Sequence, residues 1–207
     1  MVWTVAVTIE IFLQKTKNIA GLARTILLLG DEDYYLDRAG KRIRELVFAQ
    51  TPPAEIDYGL FFVEKLNDAA SLTEFREQVL SGGFFASARL FIISDCSIFK
   101  ADKQHTQALL TLLQQLPEET FCVFVLNRLE GSMRGFKDYT SRSLYKWLDD
   151  KGQVVNCLSP RYYEIKPWLT NELKERRVKL EPAAVETIMN YCSQTDTVNL
   201  NLISNEL

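Results

Sequence analysis

Five short apolar runs alternate with segments of helical period, and no other feature of the sequence limits the fold as tightly. The runs are Thr25 to Leu29, Leu60 to Val63, Arg89 to Ser94, Phe121 to Leu126 and Gln153 to Leu158. Such alternation is the pattern of βαβ units, so the expected core is a five-stranded parallel sheet covered by helices on both faces. Between the first two runs, Leu36, Ala39, Ile43, Leu46 and Val47 recur at helical spacing, with Arg38, Lys41, Arg42 and Arg44 mostly on the other, solvated side. Ser71-Leu72-Thr73-Glu74 reads as a capping box opening a short helix that Ser81-Gly82-Gly83 ends. Leu109, Leu112, Leu113 and Leu116 mark a helix stopped by Pro117, and another is expected over about 138–150.

After the fifth run, Ser159-Pro160 marks a break, and the sequence turns helical. One helix is expected around Trp168, from Tyr163 past Leu169 and Leu173; Pro182 opens a second; a third begins near Thr197. Two domains follow from this reading, an α/β unit over 1–159 and a helical unit over 160–207. The sequence stops inside the third helix, so a piece of a longer protein is expected. The opening is open to two readings: Val5 to Phe12 fits a strand, and Ile11 to Leu22 fits a helix packed ahead of the sheet.

The turn after Leu29 is where a parallel α/β layer of this kind carries a phosphate-binding loop. Laid over G-x-x-x-x-G-K-[ST] from Gly30, the second glycine becomes Tyr35, the lysine Leu36 and the hydroxyl residue Asp37. A triphosphate needs bare amides, an ammonium and a metal-bound hydroxyl, whereas this turn offers Asp31, Glu32 and Asp33, whose charges repel it. No nucleotide cofactor and no catalytic residue is expected here. A chain that keeps the frame of a nucleotide-driven protein without its fuel site is expected to work by holding other proteins.

Composition narrows the partners. A net charge of -3 argues against holding nucleic acid by overall charge, so any DNA contact is local or shared with partners. Cys96, Cys122, Cys157 and Cys192 lie tens of residues apart with His105 as the single imidazole, so no metal site is expected and the cysteines read as small buried hydrophobes. There is no apolar run of about 18 residues and no basic, cleavable leader at Met1 to Phe12, so a cytoplasmic protein without a membrane partner is expected.

Phe84 and Phe85 follow a glycine pair and precede Ala86-Ser87, which places them on a turn at the tip of the domain. Burying both in a partner's pocket yields about 1.5–3 kcal/mol each, the kind of aromatic anchor that dominates interfaces. The opposing reading folds both rings back into the core.

These stretches together resemble a known family. Leu27-Leu28-Leu29-Gly30-Asp31-Glu32 with Tyr35, Leu36 and Asp37; Gly83-Phe84-Phe85-Ala86-Ser87 leading into Arg89-Leu90; Leu144-Tyr145-Lys146 with Gly152, Val154 and Val155; Trp168; and Asn205-Glu206-Leu207 follow in order. Over about Ile26 to Leu207 the sequence resembles the delta subunit of the bacterial DNA polymerase III clamp loader, an AAA+-like (P-loop NTPase-type) protein with a three-helix lid. The resemblance implies a subunit that binds the sliding clamp and opens the ring in DNA replication without hydrolysing ATP itself. It implies Phe84 and Phe85 as the clamp-binding pair, with Phe85 the deeper anchor and Leu80, on the preceding helix, as a third contact. It further implies ATP-binding gamma/tau-type and delta-prime-type partner subunits, DNA contact only within the complex, and a C-terminal collar domain beyond this sequence. Met1 to Thr8 match no part of it.

Three details invite other readings. Asp95, Cys96 and Asn127 stand where a Walker B carboxylate, the water-activating Glu and a phosphate-sensing residue would be; a diverged NTPase that still turns over ATP is the alternative they allow. Ser141-Arg142-Ser143 resembles the Ser-Arg-Cys arginine-finger triplet of other clamp-loader subunits, which the delta family does not supply. A phospho-receiver domain would share the acidic pair Asp31-Glu32 and Asp95, but needs a lysine where this chain has Ser159-Pro160.

Overall fold

The computed structural model describes residues 7–52, 56–62, 69–80, 88–94, 102–126, 142–194 and 198–207. The five expected strands form a parallel sheet: β2 (Thr25–Leu29), β3 (Ile56–Phe62), β4 (Ala88–Ser94), β5 (Thr120–Leu126) and β6 (Gln153–Asn156), joined by a two-residue strand β1 (Val7–Thr8). The order is β1-β6-β2-β5-β4-β3, every described pairing parallel. Central β2 lies between β6 and β5, with Leu27 opposite both Val154 and Phe124.

All five residues of β2 are buried because both faces of the sheet are covered, which is why it reads as an unbroken apolar run. Alternation along the strand divides them. Ile26 and Leu28 enter one core with α1 (Ile9–Lys15), α2 (Asp33–Val47) and the three C-terminal helices α6 (Tyr162–Arg176), α7 (Pro182–Gln194) and α8 (Leu200–Glu206). Leu27 and Leu29 enter the other core with α3 (Ala69–Leu80), α4 (Lys103–Gln114) and α5 (Ser143–Lys151).

Several boundaries move for local reasons. β3 begins at Ile56, four residues before the apolar run, since Asp57 and Gly59 interrupt the pattern while the backbone pairs with all seven residues of β4. The edge position of β3 tolerates such residues. α3 begins at Ala69, so Ser71 lies inside the helix and does not open it. The two readings of the opening each hold in part: the strand is confined to Val7–Thr8, the helix begins at Ile9, and a single 3-10 turn (Ile19–Gly21) follows. β6 ends at Asn156, yet Cys157 still donates its N–H to the Leu29 carbonyl at 2.7 Å. α8 starts at Leu200 behind an Asn199 cap that accepts from the Leu202 N–H.

Candidate functional site

Only Gly30, Asp31 and Glu32 lie between the end of β2 and the start of α2. The turn is tied down on both sides. Gly30 N–H donates to the Leu126 carbonyl and Glu32 N–H to the Cys157 carbonyl, each at 3.1 Å. A Cβ on Gly30 would stand 1.9 Å from the Cys157 carbonyl oxygen and 2.6 Å from the Leu158 nitrogen, so glycine is required here by close backbone approach alone.

Three amides in the first turn of α2, those of Tyr34, Tyr35 and Leu36, are already taken. Glu32 caps the helix, its Oε1 accepting from the Tyr34 N–H at 3.2 Å and its carbonyl from the Tyr35 and Leu36 N–H groups at 3.0 and 3.1 Å. Asp31 Oδ1 accepts from the Ser159 N–H at 2.8 Å, and Glu32 Oε2 accepts from the Ser159 hydroxyl at 3.4 Å. Glu32 is 6 % exposed; burial pushes its carboxyl above the ordinary value, against the lowering effect of the Tyr34 amide and the Ser159 hydroxyl, and Asp31 and Asp33 add to the rise. Tyr35 and Leu36, at the positions of the second glycine and the lysine, turn their side chains into the core, while Asp37 faces solvent. Negative charge thus already sits at this helix N-terminus, supplied by the chain itself. Beside the turn runs a cleft of about 830 Å³ whose charged lining is Glu10, Asp31, Glu164 and Arg161, three carboxylates against one guanidinium.

A second polar cluster lies at the opposite edge of the sheet. Arg89, 4 % exposed at the start of β4, donates from Nη2 to the Gln78 carbonyl at 2.7 Å and from Nη1 to the Val79 carbonyl at 3.2 Å. Its guanidinium lies 5.0 Å from the centroid of the Phe91 ring. A cation therefore closes the C-terminal carbonyls of α3 and fastens that helix to the first residues of β4. Leu80, the last residue of α3, is half-buried against the α3–α5 core. Phe84 and Phe85 lie outside the described residues, as do Asp95, Cys96, Asn127 and Ser141. Arg142 is the exposed residue before α5. The sequence signal for this role of Arg89 is an arginine opening an otherwise apolar run.

The basic side of α2 is divided. Arg42 donates from Nε and Nη2 to the Thr16 carbonyl at 3.1 and 2.7 Å, and Arg38 turns to Glu172 and Glu175 on α6; Lys41 and Arg44 remain exposed. Cys122, Cys157 and Cys192 are buried and free, burial pushing the first two thiols up to about 12. His105 Nδ1 lies 2.7 Å from Asp102 Oδ2 at the start of α4. Among the described residues no group of three or more His, Cys, Asp or Glu is placed to hold a metal ion, and no helix is long and apolar enough to cross a membrane.

No protein-family model and no curated protein sequence matches the chain. Among solved structures it is similar to the Bacillus subtilis DNA clamp loader delta protein, with a TM-score of 0.55 and 17% identity over 82% of this chain and 48% of that one. The chain therefore spans about half the length of that relative. Domain III of the Thermotoga maritima replication initiation protein DnaA aligns at a TM-score of 0.43 and 15% identity, over 88% of this chain and 73% of that one. The AAA+-like α/β layer with its appended helices is the fold this chain shares with the bacterial clamp loader delta protein.

Proposed function

We propose that this chain is the clamp-opening, delta-type part of a replication clamp loader. Phe84 and Phe85, with Leu80 beside them, enter a pocket on the sliding clamp and open the ring; ATP is bound and hydrolysed by the gamma/tau-type and delta-prime-type neighbours. Residues 1–159 form the clamp-binding unit and 160–207 the helical unit, in a protein that works in the cytoplasm and meets DNA only within the complex.

One observation carries this reading: at the turn after β2 the Glu32 carboxylate accepts from the Tyr34 amide and the Asp31 carboxylate from the Ser159 amide, which puts the chain's own negative charge where a phosphate would lie. A protein with this frame and carboxylates at that turn is expected to act through contacts with other proteins. The position of Leu80 at the end of α3, where the segment bearing the two phenylalanines begins, is in accord with it.

The test is a pull-down of the full chain with a bacterial sliding clamp. Wild type is expected to retain the clamp, and Phe84→Ala with Phe85→Ala to abolish retention while the far-ultraviolet spectrum stays unchanged. Equal retention by both proteins, or none by wild type, would refute the proposal.

A further inference from the structure

We propose that the C-terminal helices α6 and α8 are held against α2 by a lock centred on Glu172, which fixes their angle without any nucleotide. Residues of α6, among them Tyr163, Glu164 and Trp168, line the same cleft as Asp31 and Tyr35 beside the turn after β2. Here the chain's own side chains span the gap.

Glu172 on α6 is 5 % exposed, and both carboxylate oxygens are engaged. Oε2 accepts from the Tyr34 hydroxyl at 2.6 Å and from Arg38 Nη1 at 3.1 Å, both on α2; Oε1 accepts from Arg176 Nε at 2.9 Å. Each arginine reaches further. Arg38 Nη2 holds Glu175 at 2.6 Å, and Arg176 Nη2 donates to the Ser204 hydroxyl on α8. Two guanidinium and two carboxylate groups balance in charge, so α2, α6 and α8 are tied through one neutral network with a satisfied buried carboxylate at its centre. An edge-on contact adds to it: the Trp168 ring lies 5.7 Å from the Tyr34 ring at 89°.

Tyr34 joins this network to the closed turn. Its N–H donates to Glu32 and its hydroxyl to Glu172, so one residue fixes the start of α2 from the turn side and the position of α6 from the other. Burial, and then the hydrogen bond to Glu172, raise the Tyr34 hydroxyl above its ordinary range, which keeps the donor protonated. The carboxylate of Glu32 does at the turn what a bound phosphate would do elsewhere, and the arrangement behind it is held permanently.

The test uses the full chain, with spin labels on exposed sites of α4 and α7 for distance measurement and with amide hydrogen exchange. Wild type should give one narrow distance distribution, unmoved by ATP with magnesium. Glu172→Gln places an amide donor among donors and should broaden it. Tyr34→Phe keeps the ring and removes one hydroxyl, which donates to Glu172 and accepts from Arg38 Nη1 at 3.2 Å; it should fold and speed exchange on α6 and α8 about ten-fold while leaving α4 unchanged. A wild-type distribution that shifts with ATP, or wild-type exchange on α6 and α8 in Tyr34→Phe, would overturn the proposal, and the second result decides the matter even if Glu172→Gln fails to fold. None of these outcomes depends on clamp binding.

Discussion

The two ends of the sheet solve opposite problems with opposite charges. At the C-terminal edge, where α/β layers ordinarily receive ligands, the Glu32 carboxylate accepts from the Tyr34 amide at the opening of α2. At the N-terminal edge, the Arg89 guanidinium closes the carbonyls ending α3. Each charge suits the helix end it faces. The difference lies in what each ties: the first joins the turn after β2 to Ser159, whereas the second fastens α3 to β4, the two elements on either side of residues 81–87.

The largest effect should come from Gly30→Ala, since the added methyl meets the Cys157 backbone, which has no flexible end to yield. A loss of about 3 kcal/mol or more in urea unfolding is expected; wild-type stability would mean that the turn is open. Arg89→Met should cost about 2–3 kcal/mol, because the buried Val79 carbonyl and the part-buried Gln78 carbonyl lose a charged donor, and Arg89→Lys should recover part of it. If Arg89→Met unfolds like wild type, the second edge has no such fastening.

Glu32→Gln sharpens the comparison by pH. The folded protein holds the Glu32 proton more tightly than the unfolded chain, so this group favours folding below 4.5 and loses that contribution as pH rises past it. Glutamine keeps an acceptor for the Tyr34 amide without the charge beside Asp31 and Asp33. The variant should therefore be more stable than wild type at pH 7, by about 1 kcal/mol or less, with the gain vanishing toward pH 4. A gain that grows on acidification would reverse the sign of this argument. The smallest effect is expected of the thiols: Cys122 and Cys157, pushed up to about 12 and buried, should resist alkylation at pH 8 until the chain is unfolded.

Much of the fold was legible because β2, β4 and β5 are buried on both faces and leave unbroken apolar runs. β3 was read short because pairing by backbone leaves no mark in side-chain pattern, as Asp57 and Gly59 illustrate. The departure from the phosphate-loop pattern is legible residue by residue at Tyr35, Leu36 and Asp37. What filled its place was not, since the donors from Ser159 come from more than a hundred residues away. Likewise Arg38 looked like one of four solvated cations, and only the arrival of α6 made it a partner of Glu172. Arg89 escaped notice because a charge at a strand end is read as a boundary; its role depends on the carbonyls of the helix before it.

The closed turn is tested most directly by titrating the full chain with ATP and magnesium and measuring heat. No saturable binding up to about 1 mM is expected, with Gly30, Asp31 and Glu32 occupying the site themselves. Micromolar affinity, lost on changing residues at that turn, would contradict the assignment and restore the reading of a diverged NTPase.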